Sequence, residues 1–555
     1  MLQAWGFGPI TLPGENMRYG LIFALLLAAA PLCAEEWLDF NARDVGFGGM
    51  GTTFGRDATG GYYNPANVSR RPWESSEFAS FDIDLPLGVS AGLHGTSFNN
   101  IFTTVDLAND LFDRFQDGAF DVSSGSISNE DLKFAIGVFD ALDALNSLNG
   151  EGLYVGSSVG LAARLELPVL PRAGVALHVG GFGMGAITPI VDLQSLMNYR
   201  LTDESGAQWD ALVSAAAANS GGAPTPTSAG AQAFSSALQA GGYPQAQADA
   251  LAGLCEEAGI NFGGAGADVL LQFLLNTRNG TGQSLESGAN PLEGNRSGFL
   301  ARGLSTYEIG VTFSTGLPIP LVSKWLAVGA TLKFYQASVF NQLLLVQDLD
   351  KDGIRDSLTA LRESIQDAYA FNGSASRNSL GLDLGLVFTP QIPFLDTLAV
   401  SFAMRNVWAP EFRWKNLYPG EPLLVRFDPQ ARLGASYTFF APYLPLTIGV
   451  EGDLNRVSSD ILPGYSTQFI RAGLAFDPSW KGLGFSLRVG ALKNVGDAGE
   501  KITLTAGTGV SLFFVRLDVG AQVTLGSVEF GPAADNRMLP QRAALFAQLQ
   551  VRIDW

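Results

Sequence analysis

The feature that most constrains this chain is a period-two alternation of apolar with polar or small residues, which recurs from residue 78 to the end. In VRLDVGAQVTLG at 515–526, apolar residues occupy every second position, and charged, amide, hydroxyl or glycine residues occupy the others. Successive side chains of a β-strand point to opposite faces, so the pattern predicts a strand with one apolar face. It predicts strands at 78–94, 153–167, 173–191, 304–316, 324–346, 376–390, 396–408, 425–440, 443–455, 466–477, 482–494, 502–513, 514–527 and 542–555.

Composition narrows the class of protein. Charged residues make up 16% of the 555 residues, and mean hydropathy is +0.17. After the N-terminal region, no apolar run reaches the length of about 18 residues that a spanning helix needs. Such a chain is either a soluble protein with a large core or a membrane β-barrel, in which lipid-facing residues alternate with polar ones. The net charge of −19 argues against nucleic acid as a partner.

The connections between the predicted strands favour the barrel. Short segments such as PVLPR and APYLP alternate with long ones, which include 95–152, 192–303, 347–375 and 409–424. Short turns on one side, long loops on the other and an even strand number are typical of outer-membrane barrels. Closure also leaves no unpaired backbone group facing lipid. We therefore predict an all-β fold, an antiparallel transmembrane β-barrel of about 14 strands, with a soluble β-protein as the alternative.

The N-terminus predicts secretion. An apolar block at 21–32 follows Arg18 and precedes Ala34, which predicts a signal peptide over residues 1–34, with Met17 as an alternative start. A lipoprotein anchored through Cys33 is the weaker alternative, because Leu32 stands before the cysteine where a small residue is expected. Cleavage leaves one cysteine, Cys255, so stability cannot come from an internal disulfide.

The C-terminus carries a second targeting signal. Leu549, Val551, Ile553 and Trp555 share one face of the last predicted strand. A chain that ends on an aromatic residue in this pattern resembles the C-terminal signal of bacterial outer-membrane proteins. The resemblance implies the bacterial outer membrane as location and the barrel-assembly machinery as a partner.

Between the signal peptide and the first strand, residues 35–77 are rich in glycine and irregular, and we predict that they form a plug inside the barrel. Glycines let backbone pass close to backbone, and an Asn-Pro step favours a turn. The candidate gating residues are Gly48, Gly49, Gly51, Asn64, Pro65 and Ala66. The barrel then occupies 78–555, with helical loop insertions at 95–152, 192–303 and 347–375, since apolar residues recur at helical spacing in 100–148.

The plug also resembles a known family. DVGFGGMGTTFGRDATGGYYNPANVSR is similar to the N-terminal hatch of the long-chain fatty acid transporter (FadL/TodX) superfamily and its conjugal-transfer TraF-like and PorV-like relatives, with Asn64-Pro65-Ala66 at the family's Asn-Pro-Ala turn. The resemblance implies a plug that closes the lumen of a 14-stranded barrel. The insertion at 192–303 goes beyond the fatty acid transporters and favours the TraF-like branch.

In the fatty acid transporters a kink in the third strand opens a lateral exit to the membrane, and the resemblance implies the same here. The third predicted strand contains HVGGFGMGAITP, with the composition of a bulge or kink at Gly180, Gly181, Gly183 and Gly185. We expect its hydrogen bonding to break there; the alternative is that the glycines relieve crowding against the plug. Pro86 predicts a bulge or a break in the first strand.

An acidic loop, DLDKDGIRD at 348–356, predicts a Ca²⁺ site. Its spacing places four carboxylates and one backbone carbonyl at ligand positions of a calcium loop, although Thr359 stands where an EF-hand has its bidentate Glu. The predicted ligands are Asp348, Asp350, Asp352, Ile354 and Asp356. The alternative is a solvated acidic loop tip.

The remaining polar residues favour a structural role. His94 and His178 both fall on the inward side of their strands, and neither has the nucleophile and acid that a hydrolase needs, so we predict that the protein is not an enzyme. Inward charges of both signs predict ion pairs between wall and plug.

Two functions follow as hypotheses. The first is an outer-membrane channel for hydrophobic small molecules such as long-chain fatty acids, gated by the plug. The alternative is a non-transporting outer-membrane structural or assembly protein, associated with conjugation or secretion, that contacts an envelope protein through its external loops. The expected partners are outer-membrane lipids, a hydrophobic substrate and the barrel-assembly machinery, without nucleic acid, and Ca²⁺ is the expected cofactor.

Overall fold

The structure is a computed structural model that describes residues 39–55, 57–69, 80–94, 146, 151–167, 173–201, 225–285, 296–317, 325–345, 361–363, 365–366, 376–390, 397–414, 423–439, 444–462, 464–480, 482–530 and 537–554. The predicted signal peptide and the predicted calcium loop at 348–356 lie outside the described residues, as does the helical pair predicted over 100–148 apart from Asn146.

The barrel strands follow the predicted alternation closely. They are β1 Ser80–His94, β2 Gly152–Leu167, β3 Ala173–Ile190, β4 Gly298–Gly316, β5 Leu326–Leu345, β6 Ser376–Phe388, β7 Ala399–Arg405, β8 Gln430–Phe439, β9 Leu446–Asp453, β10 Phe469–Phe476, β11 Leu483–Asn494, β12 Thr503–Leu512, β13 Val515–Thr524 and β14 Arg542–Asp554. Every predicted strand is present, and the largest discrepancy is the start of β4, which precedes the predicted residue 304.

The strands close into a ring. Each strand pairs antiparallel with the next, from β1–β2 through β13–β14, and β14 pairs with β1. In the described part of the chain, 14 strands thus form a closed barrel, to whose sheet Ser479–Trp480 adds a short hairpin with β11. A closed ring has no edge strand, so every strand finds backbone partners on both sides.

The two faces of the wall differ in chemistry. In β13, Leu517 and Val523 are about half exposed on the outer face, whereas Asp518 and Gln522 are buried on the inner face. At the end with short turns, Trp480, Phe513 and Phe514 are strongly exposed. An apolar outer band with aromatic residues at its border is the surface that a bilayer covers. The predicted transmembrane barrel is confirmed, and its location is the bacterial outer membrane.

The N-terminal segment lies inside this ring. It contains α1 Ala42–Gly46, α2 Gly60–Tyr63 and a 3₁₀ turn at Pro65–Ser69. The Asn41 side chain caps α1 by accepting a hydrogen bond from the amide of Asp44 at 2.7 Å. Every described residue from 40 to 69 except Arg43 is buried. We call residues 39–69 the plug.

The insertion after β3 is helical, as predicted for the described residues. It contains α3 Leu193–Leu196, α4 Ala229–Ala240, α5 Gln245–Glu257 and α6 Ala265–Asn279. The last three helices pack around a core of their own, which includes Leu238, Leu251, Cys255, Leu270 and Leu274. We call α4–α6 the helical unit. Among the described residues, no helix is long and apolar enough to cross a membrane.

Candidate functional site: the plug and the luminal compartment

Glycines let the plug backbone touch the wall. A Cβ on Gly46 would lie 2.7 Å from the Cα of Gly507 in β12. Gly48 has φ +82°, and a Cβ there would lie 2.7 Å from the backbone oxygen of Ala472 in β10. Both the backbone conformation and the available space therefore exclude a side chain at Gly48.

Two further predicted glycines shape the plug itself. Gly49 also has positive φ, at +74°, and follows Gly48 in the turn after α1. A Cβ on Gly51 would lie 2.3 Å from the ring of Tyr63. The Tyr63 hydroxyl accepts a hydrogen bond from the Phe40 amide at 2.6 Å. Gly51 thus makes room for the ring that fixes the beginning of the plug.

The Asn64-Pro65-Ala66 turn docks on the wall. The Asn64 side-chain amide donates to the carbonyl oxygens of Leu386 and Phe402, at 3.3 and 3.4 Å, which belong to β6 and β7. Its side-chain oxygen accepts from the Ala66 amide at 3.0 Å. Pro65 lies against Gly329 and Gly385, where a Cβ would come within 3 Å of it. The structure thus brings the predicted turn residues together at one place on the wall, where Gly329 and Gly385 leave space for them.

Hydroxyl groups tie the plug to other strands. The Thr53 amide and hydroxyl donate to Glu451 of β9 at 3.0 and 3.2 Å. The Ser401 hydroxyl of β7 donates to the Thr52 hydroxyl at 3.0 Å. Each of these hydrogen bonds has one charged partner at most, and such bonds contribute about 0.5–3 kcal/mol each.

A buried ion cluster lies under the plug residue Tyr62. Glu308 of β4 is 2.6 Å from His178, 2.9 Å from Lys333 and 2.8 Å from Arg405. Lys333 also pairs with Asp383 of β6 at 2.6 Å. The Arg405 guanidinium lies 4.1 Å from the centroid of the Tyr62 ring, and the Lys333 ammonium lies 5.4 Å from it. Cation–π attraction thus joins the plug to charges that the wall already neutralises.

For the described residues, this arrangement differs from the expectation of ion pairs between wall and plug. Among the described residues, the inward charges pair within the wall, as Arg432 does with Asp453 at 2.7 Å and Arg488 with Asp518 at 2.7 Å. The Arg43–Asp57 pair, at 4.0 Å, lies within the plug. Some inward charges also bond to the plug by hydrogen bonds: Glu451 accepts from Thr53, and Arg164 of β2 donates to the Val68 carbonyl oxygen at 2.9 Å.

The predicted break in β3 is wrong. β3 pairs with β2 without interruption from Ala173 to Ile187, and with β4 from Gly174 to Ile190, so Gly180, Gly181, Gly183 and Gly185 all lie in a continuous ladder. The glycines instead provide space: a Cβ on Gly180 would lie 2.6 Å from the Phe182 ring, which packs against Phe40 of the plug.

The predicted interruption at Pro86 is confirmed. Pairing between β1 and β2 is absent at Leu85 and Pro86 and resumes at Leu87 in the same register, so there is a break but no bulge. Pairing of Pro86 with β14 continues, opposite Gln548. The missing proline N–H explains why only one ladder is interrupted.

Above the plug, the lumen is apolar. Aromatic and aliphatic side chains from the plug, the strands and two inward-folded loops form one buried cluster, the luminal compartment. It includes Phe40, Tyr62, Tyr154, Phe182, Met184, Tyr335, Phe412, Trp414, Phe427, Ile461, Leu462 and Tyr465. Sequence reasoning missed this compartment, although Phe182 and Met184 stand at inward positions of β3 and were a signal for it.

Two loops close the compartment from above. One carries the hairpin Glu411–Trp414 with Leu423–Arg426, whose Phe412, Trp414 and Val425 point inward. The other, residues 454–468, reaches across the lumen: Arg302 of β4 donates to the Asp460 carbonyl oxygen at 2.9 Å, and Leu462 packs at Gly152 of β2. We call residues 454–468 the lid loop.

The predicted calcium ligands Asp348, Asp350, Asp352, Ile354 and Asp356 lie outside the described residues. Within the described residues, no group of three or more His, Cys, Asp or Glu residues is arranged to hold a metal ion.

A closed 14-stranded barrel, an apolar outer band and a plug folded into the lumen define a plugged outer-membrane β-barrel protein. The chain belongs to the family described as "F plasmid transfer operon, TraF, protein", whose profile matches residues 61–444, more than two thirds of the chain. The comparison with curated proteins found no match.

The chain is also similar to solved structures. One is a FadL homologue of Pseudomonas aeruginosa, with 9% identity, a TM-score of 0.43 and coverage of 95% of this chain and 100% of that chain. A second is a TodX deltaS2S3 mutant monoaromatic hydrocarbon channel, with 11% identity, a TM-score of 0.41 and coverage of 93% and 99%. A third is the Pseudomonas putida toluene transporter TodX, with 10% identity, a TM-score of 0.34 and coverage of 92% and 96%.

Proposed function

We propose that the protein is an outer-membrane channel for hydrophobic small molecules, such as long-chain fatty acids, and that the plug is its gate. The observation that carries the proposal is the luminal compartment. The lumen of a water-filled barrel is lined by polar residues, whereas here aromatic and aliphatic side chains fill the space between the plug and the two inward-folded loops. An apolar solute is favoured there over water. We assign the protein no catalytic step.

The contacts of the plug fit a gate. Hydrogen bonds to the wall hold it, together with the contact of Tyr62 with Arg405, and the cations near Tyr62 keep their wall carboxylates if the plug withdraws. A buried charge without a partner would be the largest energetic cost of moving the plug. Movement of the plug leaves no such charge in this cluster.

A disulfide across the Thr52–Ser401 contact tests the gate. The two hydroxyl oxygens are 3.0 Å apart, so cysteines at these positions lie within reach of each other. The matched control is T503C/T524C, which joins β12 to β13 at hydroxyls 2.8 Å apart without crosslinking the plug. Burial raises the pKa of the Cys255 thiol to about 12, so this cysteine does not compete as a thiolate.

Cells that carry each variant are supplied with a labelled long-chain fatty acid and, separately, a labelled small aromatic molecule. We expect T52C/S401C to reduce uptake to the level of empty cells and a reductant to restore it, while T503C/T524C takes up both probes like the parent protein. Full uptake by the oxidised T52C/S401C variant would show that the plug is not the gate. Uptake by the parent no higher than in empty cells would remove the channel proposal.

The helical unit favours a second candidate function, assembly with an envelope protein. Its core is separate from the luminal compartment, and the Glu256 side chain fastens α5 to Thr227 and Ser228 at the start of α4. A unit with its own core can bind a partner without contact with the lumen. Replacing residues 229–279 by a short linker is expected to leave uptake unchanged if it serves assembly; loss of uptake would assign the unit to transport instead.

A further inference from the structure

A small cavity lies beside the luminal compartment, against the wall formed by β1, β2 and β14. Its volume is about 40 Å³, and the lid loop, the wall strands and the first described plug residue, Asp39, surround it. Tyr154, Phe546 and Tyr465 supply aromatic surface, and Met184 supplies a thioether. The cavity thus has an apolar side formed by three rings.

Hydroxyl groups line the same cavity, and two of them lack partners. Ser158 of β2 is 5% exposed and Thr467 of the lid loop is 3% exposed, and both line the cavity. Neither hydroxyl oxygen has a hydrogen-bond partner among the described residues. A buried hydroxyl without a partner is unfavourable, and a ligand with a polar group would satisfy both.

The charges of the lining favour a neutral ligand. Asp39 and Arg542 line the cavity and are opposite in sign, so the described lining has no net charge. Asp39 accepts a hydrogen bond from Gln522 at 2.7 Å, and Arg542 lies 5.6 Å from the Phe469 ring centroid. A ligand hydroxyl can both donate to and accept from Ser158 and Thr467, and unlike a carboxylate it adds no net charge to the buried lining.

The present volume requires the lid loop to move. A water molecule needs about 10–15 Å³ of such space, whereas a cavity of about 150 Å³ is needed for a benzene-sized molecule. The lid loop contributes Val457, Ser458, Ser459, Tyr465, Ser466 and Thr467 to the lining. Its tip is held by Ile461 and Leu462, which are fully buried in the luminal compartment. Withdrawal of the tip would join the cavity to that compartment.

We propose that this cavity is the closed form of a binding site for a neutral, hydroxyl-bearing aromatic molecule, with the lid loop as its outer gate. The rings of Tyr154 and Phe546 bind the apolar body, and Ser158 and Thr467 hydrogen-bond the hydroxyl. The proposal rests on the channel function and adds a substrate class to it, neutral phenols, beside the long-chain fatty acids. It also adds a second gate, on the side of the lumen opposite the plug.

Calorimetry on the purified full-length protein in detergent micelles tests the site with p-cresol, toluene and p-toluate, which share one ring and differ in the polar group. Titrations into empty micelles are subtracted. We expect p-cresol to bind about tenfold more tightly than either analogue, because two hydrogen bonds to buried hydroxyls distinguish it. The S158A/T467V variant is expected to bind p-cresol no better than toluene.

The matched control is T306V/S338A, which removes two hydroxyls that are also buried and also lack partners among the described residues but do not line the cavity. It should leave p-cresol binding unchanged. Equal affinity for the three probes, or equal loss in both double variants, would overturn the site. Tightest binding of p-toluate would show an anion site instead.

A third variant, I461A/L462A, tests the lid loop. Weaker packing of its tip raises the population of the open loop, so the apparent affinity for p-cresol should increase by the same factor. Unchanged or weaker binding would refute the lid loop as a gate. Because these measurements need no transport, failure of p-cresol binding and failure of fatty acid uptake are separate outcomes.

Discussion

At the scale of single residues, Gly48 is needed for two reasons: its φ is positive, and the wall leaves no space for a side chain. Gly242, in the helical unit, also has positive φ, at +99°, but nothing lies within 4 Å of a Cβ placed there. At Gly48 a Cβ would also collide with the Ala472 carbonyl oxygen. Comparing the two positions therefore separates backbone strain from packing against the wall.

We predict that G48A displaces the plug, whereas G242A does not. The strain of positive φ costs about 1–2 kcal/mol at either position, and the collision with the wall adds to it only at Gly48. Single-channel conductance in planar bilayers measures the result: G48A should conduct ions more often than the parent protein, and G242A should match the parent. Equal conductance of the two variants would contradict the predicted collision.

Glu308 illustrates how much a single buried charge supports. Its carboxylate contacts side chains from three strands: His178 of β3, Lys333 of β5 and Arg405 of β7. We predict that E308Q lowers the free energy of unfolding by roughly 3–5 kcal/mol, because buried Arg405 loses its nearer carboxylate and Lys333 retains only Asp383. Urea unfolding in detergent micelles, followed by tryptophan fluorescence, measures this change.

The control for E308Q is E411Q, which breaks the exposed Arg413–Glu411 pair in the hairpin of Glu411–Trp414 with Leu423–Arg426; the two side chains are 72% and 39% exposed. Exposed pairs contribute less than about 1 kcal/mol, so E411Q should unfold near the parent midpoint. Similar losses in both variants would show that the Glu308 cluster is no more important than a surface pair.

At the scale of elements, the helical unit depends on a side chain that joins two helices. The Thr227 amide and hydroxyl and the Ser228 amide donate to Glu256, and these hydrogen bonds lower the pKa of that carboxyl to about 2. A carboxyl whose pKa falls on folding stabilises the fold fully above its ordinary pKa of 4.5, and the contribution disappears as the pH falls toward 2.

We predict that E256Q loosens the N-terminus of α4 at neutral pH, because an amide oxygen accepts these hydrogen bonds less strongly than a carboxylate. Amide exchange measured by mass spectrometry should become faster in a peptide that spans residues 225–231. The control E257Q removes the same charge one residue along. If E257Q accelerates exchange as much as E256Q, net charge rather than the cap explains the effect.

The strands show where sequence patterns predict well and where they fail. The alternation predicts a strand at 482–494, and β11 spans Leu483–Asn494. The prediction succeeds because lipid covers one face of this strand and the lumen the other, so alternation persists along it. β4 begins at Gly298 rather than at 304, because near its start Phe299 and Ala301 pack against Leu361 and Ile365 while Leu300 is also buried. Burial on both faces removes the alternation that the prediction needs.

At the scale of the whole molecule, the proposed function makes the plug the gate of the barrel. We predict that deletion of residues 36–70 from the secreted chain produces an ion-conducting pore, because wall positions that now contact plug backbone, such as Gly490 and Gly507, would face water. The parent protein should conduct little in planar bilayers and the deletion variant steadily. A deletion variant that inserts but stays closed would show that the inward-folded loops suffice to seal the lumen.

The sequence by itself determined the strands, their inward and outward faces, the glycine-rich plug and its Asn-Pro-Ala turn, because each is encoded by neighbouring residues whose alternation or turn chemistry is local. Only the tertiary structure decided the partners of the inward charges, the continuous ladder of β3 and the luminal compartment. These features join residues far apart in the chain, as His178 and Glu308 are 130 positions apart, and burial at such contacts is set by closure of the barrel around the plug.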